Sequence, residues 1–108
     1  MENYIVDITD DALADMEAIY QYIAVQKRSP QNAMGQYNRI SEKILTLETM
    51  PERYGLFDME PEHSLGIHKM IVDKYVVCYV IDPGIVTITD VLYGGSDVHS
   101  RLQERHKF

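Results

Sequence analysis

The spacing of apolar residues switches from a strand period to a helix period and back along this chain. Tyr4-Ile5-Val6-Asp7-Ile8 puts Tyr4, Val6 and Ile8 on one face at period two, a short strand. Thr9 and Asp10 follow as a cap, and Asp11 suits a first turn, where negative charge meets the positive end of the helix dipole. Leu13, Met16, Ile19, Tyr20 and Ile23 then recur at helical spacing, predicting a helix from about Asp10 to Gln26. Ser29-Pro30 opens a second helix, with Ser29 placed to cap and Pro30 at the first position, where no amide hydrogen bond is lost. Ala33, Tyr37, Ile40, Ile44 and Leu47 form its apolar stripe, and Pro51 stops it. Pro30 to Thr49 should span roughly 30 Å, and the short link at Lys27-Arg28 predicts an antiparallel helical hairpin.

Residues 51–66, with two prolines and two glycines, read as a loop. From Ile67 the period returns to two. Ile67–Val72, Tyr75–Ile81 and Ile85–Tyr93 are rich in β-branched and aromatic residues, and Asp73-Lys74 and Asp82-Pro83-Gly84 separate them tightly enough for hairpins. The first strand must join this meander or leave its backbone groups unpaired. Ser96-Asp97 can cap a last short helix through Val98 and Leu102. The expected fold is α+β, in the order β-α-α-β-β-β with a short C-terminal helix. The hairpin covers one face of an antiparallel sheet and the other face stays partly open, a common place for sites in small α+β domains.

At 108 residues the chain suits one domain, residues 1–108, and a chain of this size buries roughly 60–70% of its unfolded surface without metals or disulfides. Cys78 is the single cysteine, which excludes an internal disulfide and a four-Cys metal site. Its neighbours Val76, Val77 and Tyr79 point to a buried, inert thiol. There is no long apolar run and no basic leader ahead of an apolar core, so no membrane segment is expected and the default location is the cytoplasm. The net charge of −7 is unevenly placed. Residues 1–26 carry Glu2, Asp7, Asp10, Asp11, Asp15 and Glu17 with no Lys or Arg. Residues 96–108 carry Arg101, Arg105, Lys107, His99 and His106 against Asp97 and Glu104. Such a field repels nucleic acid over most of the surface, so any contact with it has to be local.

Familiar catalytic constellations are missing from the sequence. There is no Gly-rich phosphate loop after a strand and no His pair at metal spacing, so neither a cofactor nor a metal is expected. Ser96, Asp97 and His99 lie too close in sequence to converge as a triad, and a helix cap accounts for the first two. What remains is a sparse polar set on the strands and their ends, including His68, Lys69, Tyr93, Asp97 and His99. Alternation puts His68 with Met70 and Val72, and Lys69 on the opposite face with Ile67 and Ile71.

Taken together, these stretches resemble the RelE/ParE superfamily of toxins. The resemblance runs through Tyr4-Ile5-Val6, Asp11-Ala12-x-x-Asp15-Met16-x-x-Ile19-x-x-Tyr22-Ile23, Pro30-x-x-Ala33, Met50-Pro51-Glu52-Arg53-Tyr54, Gly66-Ile67-His68-Lys69-Met70 and Tyr75-Val76-Val77-Cys78-Tyr79. It closes on Val91-Leu92-Tyr93-Gly94-Gly95-Ser96-Asp97. No single piece is specific; their order and spacing over nearly the whole chain carry the match. The long helical hairpin and the final Val-Leu-Tyr-Gly-x-x-Asp are nearest the ParE-like branch.

The resemblance implies the fold read above and a toxin held inactive by a cognate antitoxin whose extended or helical tail wraps it. It also implies one of two targets. RelE-type members cleave mRNA on the ribosome with Lys, Arg, Tyr or His residues of the open sheet face, whereas ParE-type members poison DNA gyrase. Where relatives commonly carry arginines, this chain has His68, Val80, Asp90, Gly95 and Ser96. Guanidinium groups hold phosphate bidentately and stabilise charge in phosphoryl transfer, so their loss weighs against an efficient ribonuclease. Three readings follow: a toxin that binds a target such as gyrase, a ribosome-dependent endoribonuclease, or a detoxified relative that only binds antitoxin. The ParE-like pattern favours the first. The expected site residues are His68, Tyr93, Arg101 and Lys69, near the C-terminal end of the sheet. The expected assemblies are a homodimer or a toxin–antitoxin hetero-oligomer.

Overall fold

The computed structural model describes residues 3–108. Its elements are β1 (Ile5–Ile8), α1 (Asp10–Gln21), α2 (Pro30–Leu45), β2 (His68–Val72), β3 (Tyr75–Asp82), β4 (Ile85–Tyr93) and α3 (Val98–His106). The Thr9 hydroxyl caps α1 by accepting from the Ala12 amide. The first helix then widens into a π-turn over Tyr22–Gln26, where the Lys27 amide donates five residues back to the Tyr22 carbonyl. Ser29 stands at the start of α2 as expected, but its side chain makes no capping bond; Pro30 alone sets that start. A 3-10 turn over Thr46–Glu48 prolongs α2, and a second covers Pro51–Arg53.

The sheet order is β1-β4-β3-β2. The meander β2-β3-β4 is antiparallel, as the tight separators require. β1 joins it beside β4 and runs parallel, Ile5 opposite Ile85 and Ile8 opposite Ile88. The sheet is therefore mixed rather than purely antiparallel, because the hairpin carries the chain back across the sheet before the meander begins.

The main core lies between the hairpin and one sheet face, from Ala12, Met16, Ile40, Ile44 and Leu47 on the helices to Met70, Val72, Val77, Tyr79, Val86, Ile88 and Val91 on the strands. Tyr4, Val6 and Ile8 pack against it on the face that period two assigns them. Leu13, expected in the stripe, is exposed, and Ala12 occupies the buried position instead. The second sheet face is less open than expected. Leu102 of α3 and Phe57 of the long loop close over Val76, Cys78 and Leu92 as a second cluster. The loop also lays a short segment along the outer edge of β2, with Phe57 N–H donating to Ile67 O and Lys69 N–H to Gly55 O. Among the described residues no helix is long and apolar enough to cross a membrane.

Candidate functional site

A slip in register between Cys78 and Tyr79 sets Cys78 opposite Asp90 and Tyr79 opposite Ile88, so Thr89 is an extra residue in β4. Such a bulge reverses the side-chain phase of the strand beyond it. Val91 thereby returns to the main core, and Asp90 turns to the side of α3, where it is only 1% exposed. The amide of Val91 donates 2.9 Å to Asp15 Oδ2 of α1. Arg105 of α3 grips the same carboxylate with both terminal nitrogens, at 2.7 and 2.9 Å, and reaches Asp90 Oδ1 at 2.9 Å. His106 Nε2 lies 2.9 Å from Asp90 Oδ2. Hydrogen bonding and attraction from the two carboxylates push Arg105 above its ordinary pKa against the cost of its burial. Burial first, and then the nearby Asp90 and Asp15, push the Cys78 thiol far up, so it is the inert group expected.

A second contact holds the start of α3. Glu62, fully buried in the long loop, bonds His99 Nδ1 through Oε2, while its Oε1 has no partner. Asp97 caps the helix by accepting from the Ser100 amide and hydroxyl, and these bonds lower its pKa.

The four expected site residues do not converge. His68 lies on the hairpin side of the sheet rather than on an open face. Its ring stacks on Tyr79 with centroids 5.1 Å apart, and its Nδ1 donates 2.7 Å to the Tyr54 carbonyl. Tyr79 is itself buried, with its hydroxyl donating to Pro51 O, and burial raises its pKa. Lys69 points to the opposite face, as alternation requires, and sets its ammonium 5.2 Å from the Phe57 ring centroid.

Tyr93 ends β4 and is 53% exposed, edge-on to Tyr75 at 6.1 Å. The register puts it level with Tyr75 and Val72, four residues along the strands from the level of His68, a separation of roughly 13 Å along the strand direction. Its ring folds over Gly95 so closely that a Cβ there would stand 2.4 Å from a ring carbon. A groove of about 430 Å³ opens beside it, lined by Ile71, Lys74, Tyr75 and Gly94 among others. Arg101 is exposed on α3. The four expected residues thus offer recognition surfaces and do not bring a general acid, a general base and a phosphate-binding cation to one point.

Sequence reasoning identified neither the Asp15–Arg105–Asp90 network nor the Glu62–His99 pair. Asp90, the charged residue in a strand otherwise of apolar residues and threonines, was a signal that a buried partner was needed.

The ParE toxin family of type II toxin–antitoxin systems (parDE) has a model that matches residues 6–98. No curated protein matches the chain. Among solved structures, the chain is similar to one described as a chromosomal ParDE TA system from P. aeruginosa. The TM-score is 0.67 at 18% identity, covering 83% of this chain and 95% of the other. It is also similar to an archaeal RelE-RelB complex from Pyrococcus horikoshii OT3, with a TM-score of 0.57 at 18% identity, covering 86% and 97%. The likeness to both structures is one of fold, a helical hairpin on a four-stranded sheet with a helix after the last strand. With the family model spanning nearly every element, from β1 to the start of α3, the chain belongs to the ParE toxin family of type II toxin–antitoxin systems.

Proposed function

We propose that this chain inhibits growth by binding a cellular protein, with gyrase the favoured target, and is neutralised by a cognate antitoxin. The observation that carries the reading is the dispersal of the candidate groups. His68 is engaged with Tyr54 and Tyr79, Lys69 covers Phe57 on the other face, and Tyr93 and Arg101 are displayed on the surface. Phosphoryl transfer needs acid, base and charge-stabilising groups held within hydrogen-bond reach of one another's substrate. A binding toxin needs only exposed anchors, and Tyr and Arg are the residue types that dominate protein hot spots. The net charge of −7 supports the same side, since it opposes capture of RNA.

The antitoxin belongs to this reading because two matched structures are described as toxin–antitoxin assemblies. Its seat is the groove of about 610 Å³ between α1 and α2, where Met34 is exposed beside Tyr37.

Induced expression, with and without the small gene adjacent in the native operon, tests the proposal. Growth, DNA-damage response and mRNA integrity are scored separately. Growth arrest with DNA damage and intact mRNA is expected, relieved by the adjacent gene. Cleaved ribosome-bound mRNA without DNA damage would transfer the chain to the RelE-type reading. No arrest, with antitoxin binding retained, would mark it as a detoxified relative.

A further inference from the structure

The groove on the hairpin has a definite charge pattern. Its walls include Ala14, Ala18 and Met34, and the edge-to-face pair Tyr20–Tyr37, 6.3 Å between centroids, lies within it. Helical spacing extends the same face outward. On α1 it carries Asp10, Ala14 and Glu17; on α2 it carries Met34, Asn38, Glu42 and Leu45. Ala14, Ala18, Tyr37 and the 49%-exposed Met34 give the cleft an apolar line, and Leu45, 59% exposed, stands beyond it on α2.

Three carboxylates border this line: Asp10, Glu17 and Glu42. All three are exposed, and none has an ion-pair or side-chain hydrogen-bond partner among the described residues. The cations of α2 stand elsewhere on the helix. Arg39 is bonded to Asp73 at 2.8 Å, and Lys43 follows one turn later on that same side. The first 26 residues contain no Lys or Arg at all.

An occupant that covers the apolar line must come to rest among these acids. Like charge brought there is repelled in a partly desolvated cleft, and opposite charge both relieves the repulsion and steers the encounter. A second copy of this chain would bring three more carboxylates to the same place. A cleft between two helices takes a third helix through residues spaced i, i+3, i+4 and i+7.

We infer that the hairpin groove receives a cationic amphipathic helix of the antitoxin, apolar side chains along the cleft and Lys or Arg against Asp10, Glu17 and Glu42. The inference rests on the antitoxin reading above and adds the sign of the partner's charge.

The test uses the full chain co-expressed with the product of the small open reading frame next to it. Dissociation constants are measured at low and high salt for the parent, for Met34→Glu and for the double variant Glu17→Lys/Glu42→Lys. All substitutions are at exposed positions, and circular dichroism confirms that each variant folds. The inference expects affinity to fall as salt rises, the double variant to bind at least about tenfold more weakly, and Met34→Glu to weaken binding as well. If Met34→Glu disrupts the complex while the charge reversal and salt change nothing, the partner occupies the groove but is not cationic. The inference then fails, and the antitoxin reading stands. A salt-insensitive complex indifferent to all variants places the antitoxin elsewhere; the inference fails there too, with the antitoxin reading intact. A homodimer that Met34→Glu dissolves would make a second copy the occupant and overturn the inference. No complex with the adjacent product would sink both readings.

Discussion

Arg105 ties together three elements that the backbone does not otherwise join at one point. It holds Asp15 on α1 and Asp90 on β4 from its own place on α3. Asp90 is nearly inaccessible, and a buried carboxylate left without its cation costs about 3–5 kcal/mol. Arg105→Ala should therefore lose roughly 3 kcal/mol of unfolding free energy in urea, since His106 still faces Asp90. Asp90→Asn in that background should recover part of the loss, because it removes the orphaned charge; simple additivity of the two would show that they do not interact.

Gly95 supports the opposite kind of expectation. Gly95→Ala collides with the Tyr93 ring, but that ring is exposed and can turn away about its own χ angles, so stability should change by less than about 1 kcal/mol. The Tyr75–Tyr93 contact should be lost, visible as changed ring chemical shifts. If Tyr93 and Arg101 are target anchors, as we propose, Tyr93→Ala and Arg101→Ala relieve growth inhibition while antitoxin binding persists. Unchanged toxicity in both variants would locate the contact elsewhere. At this scale the sequence was only partly readable. Residue type and strand phase placed Lys69 opposite His68, but they could not foresee that Tyr54 and Tyr79 occupy His68, because those contacts come from a loop and a neighbouring strand.

Among the elements, α3 depends most on side chains for its position. Leu102 seats it on the sheet, Glu62 meets His99 near its start, and Asp97 caps it. Folding lowers the Asp97 pKa, so the cap contributes above the ordinary value of 3.8 and its contribution is lost as pH falls through the lowered one. Amide exchange in the first turn of α3 should therefore accelerate as pH falls below 3.8, after correction for intrinsic rates, and Asp97→Asn should blunt that change. An unchanged profile would assign the anchoring to Leu102 and the ion pairs alone. The elements were legible because their periods are: the meander, the hairpin, and the caps at Thr9 and Asp97 all follow from local pattern. Two features were not. The parallel seat of β1 depends on where the hairpin returns the chain, and the bulge at Thr89 leaves no composition signal. It shows only in the phase of Ile88 and Val91, three residues apart yet both in the main core.

Over the whole molecule, charge and topology set the behaviour. A field of −7 predicts that purified protein leaves naked mRNA intact at moderate salt; rapid cleavage suppressed by added salt would refute this and favour the enzyme reading. Topology has a consequence in time. β1 precedes the other elements of the fold, yet its strand partner among the described residues begins at Ile85, eighty residues later. Until β4 exists, Val6 and Ile8 have no ladder to join, whereas the hairpin and the β2-β3 turn can form from near neighbours. Closing so long a loop delays the pairing, so assembly of the sheet is a late event in folding. A fragment ending before Ile85 should keep helical content and lack protected amides in β1. During synthesis the sheet thus closes only after β4 has emerged, and that delay is an interval in which the antitoxin we propose can already be at hand.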